Sequence, residues 1–166
     1  MKKTLFLPAL LLASSAVMGA QTSEPSAAVA TQITVTPQSA QKVIVGTPNH
    51  FTGSARVQSL FDAKAPSHGT GGIVTFQPGA RSVWHTHPIG QVLIVTEGEG
   101  WVQAWGGPVQ VMRKGDVIWI PAGVKHWHGA SPTSSVTHIA LQEEQNGTNV
   151  VWLEPVTDAQ YNPKQQ

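Results

Sequence analysis

The chain has 166 residues, 40% of them apolar, with ten Lys and Arg against nine Asp and Glu and no Cys. That length and apolar content suit one domain with a single core. The absence of Cys excludes disulfides and thiolate metal sites. The balanced charge, with no basic block and no basic-aromatic interleaving, argues against nucleic acid as a partner.

In chain order, Lys2 and Lys3 precede an apolar run from Leu5 to Leu12, and small residues follow through Ala20. This pattern reads as a secretory signal peptide over residues 1–20, cut after Ala20 despite the bulky Met18 three positions before the cut. The run is too short for a comfortable transmembrane helix. There is no twin-Arg pair and no Cys for a lipid anchor, so the expectation is an exported protein, periplasmic or secreted, with no membrane association after cleavage. Cleavage removes Lys2 and Lys3, leaving eight of the ten basic residues against nine acidic ones, a formal charge of −1.

Residues 21–48 are rich in Ser, Thr, Ala, Gln and Pro. They read as a flexible lead-in, with β-prone stretches only at Ile33–Thr36 and Val43–Val45 and room for one edge strand. From residue 49 to 156 short β-prone runs alternate with turns. The expected strands are Ala55–Phe61, Gly72–Phe76, Ser82–Thr86, Gln91–Glu97, Gly100–Trp105, Val109–Met112, Asp116–Ile120, His126–His128, Val136–Gln142 and Val150–Leu153. Gly and Pro recur between them, at Pro78-Gly79, Gly98, Gly106-Gly107-Pro108, Gly115 and Pro121-Ala122-Gly123. Such spacing predicts an all-β sandwich or barrel. In the tail, residues 157–166, Thr157 and Gln160 stand at capping-box spacing and predict one short helical turn.

Two glycine-framed segments carry the chemistry. In the first, His85, His87 and Gln91 lie between Gly79 and Gly98; in the second, His126 follows Gly115, Pro121 and Gly123. Strand alternation points His85 and His87 to one face. Gln91 opens the next strand and points inward with Leu93 and Val95, while Val92 and Ile94 take the other face. His126 and His128 repeat the i, i+2 relation, so one of them can complete a site. Imidazoles and an amide oxygen suit a divalent first-row metal.

These two segments resemble both signature motifs of the cupin superfamily, small jelly-roll β-barrels that hold a metal inside. The match covers about residues 70–130 and keeps every spacing; Gln91 stands where most cupins have Glu, and Ala130 where many have Asn. Phe51-Thr52-Gly53, Trp84-His85-Thr86-His87-Pro88, Gly90-Gln91, Lys125 through Ala130, Thr137-His138 and Val156 through Tyr161 extend the likeness. They resemble the small manganese-dependent cupins that act as bacterial hydroxynitrile lyases, which also use Gln as the fourth ligand. The resemblance implies His85, His87, Gln91 and His126 as metal ligands and Mn as the metal, with Fe, Zn, Ni and Cu as alternatives. It implies a single-domain barrel that pairs as a homodimer or larger homo-oligomer. An export signal departs from that group.

Three neutral imidazoles and a neutral amide leave the full dipositive charge on the ion. That makes a stronger Lewis acid, holds the metal less tightly, and disfavours the trivalent state needed to activate dioxygen. This favours lyase or isomerase chemistry over oxygen activation, and the resemblance implies cleavage or formation of aromatic cyanohydrins such as (R)-mandelonitrile. A dioxygenase on phenolic or dicarbonyl compounds, or an exported binder of a small ligand or metal, are the alternatives. His138 shares a strand face with Ala140 and Gln142, and from the barrel interior it can take the substrate proton; a structural hydrogen bond at the rim is the competing role. His128 is the second candidate, against a packing role beside Trp127.

The remaining expectations are structural. Trp84 and Trp127 neighbour ligands in sequence, so they point away from the site as packing or subunit contacts. Parity places Val74, Phe76, Val83, Leu93 and Val95 inward around an apolar pocket. Arg81 reads as solvated in a turn, and His50 and His68 read as solvated without a role.

Overall fold

The computed structural model describes residues 32–162. The expected leader, residues 21–31 of the lead-in and the last four residues of the tail lie outside the described residues. Ile33–Thr36 forms no strand, and a single 3-10 turn spans Gln38–Ala40.

Twelve strands follow: β1 Val43–Val45, β2 Phe51–Thr52, β3 Ala55–Phe61, β4 Gly69–Phe76, β5 Arg81–Ser82, β6 His85–Thr86, β7 Gln91–Ala104, β8 Gln110–Arg113, β9 Val117–Ile120, β10 His126–Ala130, β11 Val136–Glu143 and β12 Val151–Trp152. The edge strand allowed for in the lead-in is β1, whose β-branched Val-Ile-Val run pairs antiparallel with Arg56–Gln58 of β3. One sheet runs β9-β7-β11-β4-β3-β1, and the other is built on β7, β8, β10, β5, β6, β2 and β12. The all-β barrel expected from the strand spacing is therefore present.

Two expected strands are one. Gln91–Glu97 and Gly100–Trp105 form the single strand β7, which pairs with β9 and β11 through its first half and with β8 and β10 through its second. Gly98 does not end the strand; it turns the strand from one sheet into the other. Its φ is 73°, and a Cβ there would lie 1.9 Å from the Ser135 carbonyl oxygen. A register shift at Thr137/His138 of β11 faces this corner, the kind of irregularity that bends a barrel wall. Conversely, the single run Ser82–Thr86 is divided into β5 and β6, which pair with different parts of β10.

Alternation along β7 buries Gln91, Leu93 and Val95 inside the barrel and leaves Val92 and Ile94 half-exposed outside. Phe76, Val74, Met112, Ile120 and Val136 join Leu93 and Val95 in the inner core. Trp84 and Trp127 point the other way, as their parity requires, and pack with Val156 and Tyr161 in a second cluster. Burying each indole removes about 200 Å² from water, roughly 5 kcal/mol of hydrophobic stabilisation per side chain.

The C-terminal segment covers that second cluster. Helix α1, Asp158–Tyr161, begins with the expected capping box, Thr157 and Gln160 reciprocally bonded. Arg81 departs from its expected solvated role. It is only 5% exposed, donates to Val156 O (2.9 Å) and Asp158 Oδ1 (2.7 Å), and lies 4.5 Å from the Tyr161 ring. Its partners come from the far end of the chain, which local turn residues could not indicate. Tyr161 completes the attachment by donating to Ala130 O at 2.7 Å.

Gly98→Ala should cost more than about 4 kcal/mol in unfolding free energy or abolish soluble folding, because the new Cβ strikes backbone. Gly106 also has positive φ (75°) but has open space around it. Gly106→Ala should cost only about 1–2 kcal/mol. Denaturant unfolding of the two variants separates the steric effect from the backbone preference.

Candidate metal centre

Register brings the ligand candidates together. His126 of β10 lies opposite His85 of β6, and their rings are 4.2 Å apart between centroids. His87, just beyond β6, has its ring 5.2 Å from that of His85 and 5.6 Å from that of His126. Gln91, the first residue of β7, places Oε1 3.3 Å from His126 Nε2. The tightest histidine trio is His85, His126 and His128, with donor nitrogens within 4.8 Å of one another. His87 lies outside that trio, yet its Nε2 is buried with no hydrogen-bond partner.

Main-chain carbonyls fix the tautomers. A carbonyl oxygen can only accept, so a ring nitrogen bonded to it must carry the proton. His85 Nδ1 donates to Val83 O and His126 Nδ1 to Val124 O, both at 2.9 Å, and His87 Nδ1 donates to Asn149 O. In the neutral ring each Nε2 is then a bare lone pair. Fixing one ring nitrogen in this way is how proteins orient metal-binding imidazoles. The approach of His126 Nε2 to Gln91 Oε1 is thus lone pair against lone pair, an arrangement a shared cation relieves. The orphaned Nε2 of His87 fits the same demand, so these residues suit a divalent metal.

His128 and His138 form a separate pair. His128 lines the cavity, and its Nδ1 lies 3.1 Å from His138 Nε2. His138 is fully buried behind it, with ring contacts to His128 and Phe76 and a buried Nδ1 that has no partner. The inward face of β11 is as parity predicts, but His128 stands between His138 and the cavity.

Burial keeps the whole cluster neutral. Desolvation pushes His126 and His138 down to about 4 and lowers His87. Desolvation, reinforced by neighbouring imidazoles, holds His85 and His128 well below the ordinary imidazole value. Neutral imidazole is the metal-binding form.

A cavity of about 170 Å³ opens beside the cluster. Its lining is mixed: His85, His87, Gln91 and His128, with Ser82, Gln142 and Asn149, supply polar groups, and Phe51, Val57, Val74, Ala140 and Trp152 supply apolar surface. Of the expected inward pocket residues, only Val74 reaches this cavity; Phe76, Leu93 and Val95 pack in the core, and Val83 contributes its carbonyl to His85. The sequence does not mark Trp152 as a site residue, although it and Val150, two positions earlier, both line the cavity. Trp152 pairs with His85 in register and stacks on His50 at 4.4 Å. His50 is therefore half-buried at the rim, not solvated as expected, while His68 is exposed.

The model of the cupin domain matches residues 72–139. Over 116 residues the chain is 53% identical to a protein of Granulicella tundricola named (R)-mandelonitrile lyase, covering 70% of this chain and 88% of that one. The chain belongs to the cupin family. This cupin is also similar to a cupin-like protein of Thermotoga maritima, with a TM-score of 0.69 and 40% identity over 72% of this chain and 90% of that one. A cupin-2 domain of Rhodospirillum rubrum shares the fold at 15% identity and a TM-score of 0.59, covering 76% and 82% of the two chains.

The lowered histidine values set a pH dependence for the metal-free protein. The unfolded chain takes up protons on these rings near pH 6.5 while the folded chain does not, so stability falls as pH drops from about 6.5 towards 4. His138 alone contributes on the order of 3 kcal/mol of that loss by pH 4. The melting temperature of the metal-free protein should be flat above pH 7 and fall by several degrees at pH 5; a flat profile through that range would contradict the neutral buried cluster.

Proposed function

We propose that this cupin is a metal-dependent hydroxynitrile lyase that cleaves or forms aromatic cyanohydrins of the (R)-mandelonitrile type. The observation that carries the reading is the cavity itself, whose lining joins neutral imidazoles and an amide to apolar and aromatic side chains. Its volume is close to that of an apolar cavity able to hold benzene, about 150 Å³. The 53% identity to a mandelonitrile lyase supports the same chemistry.

His85, His87, His126 and Gln91 would hold the metal, because the three Nδ1 protons are committed to carbonyls, Gln91 Oε1 lies 3.3 Å from His126 Nε2, and His87 Nε2 is buried without a partner. When bound, a divalent metal supplies Lewis acidity that lowers the pKa of a substrate hydroxyl. His128 is left for proton transfer, since its Nδ1 faces another imidazole whose proton can move, not a fixed carbonyl. His128 Nε2 takes the hydroxyl proton, the carbon–cyanide bond breaks with its electron pair leaving on cyanide, and the carbonyl forms. The proton then passes from His128 to cyanide, giving aldehyde and hydrogen cyanide. His138 shares a proton with His128 and holds the ring that reacts. Phe51, Val74 and Trp152 exclude water and face the substrate ring.

Resemblance favours manganese, whereas a site of three imidazoles intrinsically holds copper or zinc more tightly. Metal analysis of protein from its native compartment, then activity after exchange, identifies the working ion. The leader pattern supports export, and the N-terminal sequence of the mature protein tests it. Outward Val117 and Trp119 of β9, 67% and 62% exposed, support a homo-oligomer, which light scattering tests.

Manganese-loaded protein should release benzaldehyde from racemic mandelonitrile enantioselectively. His128→Ala should lower kcat by about 10²–10⁴-fold with metal content retained, the range for losing a general acid–base group. His138→Ala should lower it less. Oxygen uptake with catechols and no benzaldehyde would instead assign the dioxygenase reading, and tight ligand binding without product from either panel a binding role.

A further inference from the structure

Three polar side chains stand in one cross-strand row on the inner face of the barrel. Thr70 of β4 is opposite Gln142 of β11, and Gln142 is opposite Gln91 of β7. The Thr70 hydroxyl lies 3.1 Å from the Gln142 main-chain carbonyl, which can only accept, so the hydroxyl donates its single proton there. Thr70 Oγ1 is left with lone pairs alone. It accepts from Gln142 Nε2 and from Asn149 Nδ2, both at 3.0 Å.

Those bonds give the row a direction. With its NH₂ turned to Thr70, Gln142 must show Oε1 to Gln91. Gln91 therefore turns its own NH₂ outward, Nε2 to Gln142 Oε1 at 3.3 Å, and Oε1 inward to His126. Without Gln142, the Gln91 amide gains by rotating, because a rotated NH₂ would donate to the bare Nε2 of His126. That rotation would occupy the His126 lone pair and turn the Gln91 oxygen out of the site, removing two donors that a cation needs.

We propose that Gln142, itself oriented by Thr70, is a positioning residue that holds the Gln91 amide oxygen toward the metal site and prevents the site from closing on itself. The proposal rests on Gln91 and His126 being metal ligands, as assigned above. It also accounts for Gln rather than Glu at position 91. A carboxylate there would face Gln142 Oε1, and turning Gln142 over would cost it the bond to the Thr70 lone pair. Asn149 extends the same hub to a second ligand, since its carbonyl accepts from His87 Nδ1 while its amide donates to Thr70.

The test is the affinity of the metal-free full chain for Mn²⁺, measured by competition with a chelating dye. Gln142→Leu removes the acceptor and should raise Kd by about 10–100-fold, the usual range for losing a group that orients a ligand. Gln142→Glu keeps an acceptor toward Gln91 but gives up the bond to the Thr70 lone pair, so its loss should be smaller than that of Gln142→Leu. Thr70→Val should weaken binding, and Thr70→Ser should restore it. In a Gln91→Leu background, adding Gln142→Leu should have no further effect, because Gln142 acts through the Gln91 amide; a general packing role would add its full penalty there. Unchanged affinity in Gln142→Leu, or an equal loss in both backgrounds, overturns the positioning role while leaving the metal site standing. Wild-type protein that binds neither Mn²⁺ nor Zn²⁺ overturns the metal site and the positioning role together.

Discussion

Three main-chain carbonyls, those of Val83, Val124 and Asn149, govern what the interior of this barrel can do. Each accepts the Nδ1 proton of one buried histidine, so the Nε2 atoms face inward without protons. Burial then makes protonating those rings unfavourable, and the interior carries electron pairs with no positive charge to meet them. Bare imidazole lone pairs are costly to bury without a partner, as His87 Nε2 is. The barrel walls support that cost elsewhere, through an inner core of branched side chains and an outer cluster sealed by α1.

The same geometry divides five histidines into two groups by what each ring is bonded to. Rings tied to carbonyls have one fixed tautomer and suit a static role as donors. The His128–His138 pair has no such anchor, since imidazole faces imidazole and a single proton lies between them. Fixed and exchangeable protons thus sit side by side in one cavity, separated only by what lies behind each ring. An all-neutral donor set also bears on reaction type, because it favours polarising a substrate oxygen over reaching a higher metal oxidation state.

Much of this was legible in the sequence, and for a simple reason. Strand alternation is a strict two-residue period, so His85, Gln91, Leu93, Val95, Trp84 and Trp127 reveal their faces as soon as the strands are recognised. The glycine-framed segments named the side chains that the fold gathers, His85, His87, Gln91 and His126, and Thr157 with Gln160 announced the helix cap. Long-range register was not legible. Arg81 looked like a turn residue because its partners, Val156 and Asp158, lie more than seventy positions away. Gly98 looked like a strand end because glycine at a turn and glycine at a corner read alike; only the Ser135 carbonyl against it tells them apart. His138 has the inward parity expected, but which of two inward histidines stands in front depends on how β10 crosses β11.

The strand order has a temporal consequence. β11 sits between β4 and β7, and it supplies Gln142 and His138; Asn149 and Trp152 follow it. A chain still emerging from the ribosome cannot assemble the cavity until nearly its whole length is free, because the candidate ligands His85, His87, Gln91 and His126 precede the wall that encloses them. On the proposed metal-centre reading, capture of the ion would be a late event of maturation, drawn from the surroundings in which β11 and the residues after it fold. The place of folding would then act as a selector that the donor atoms alone do not provide.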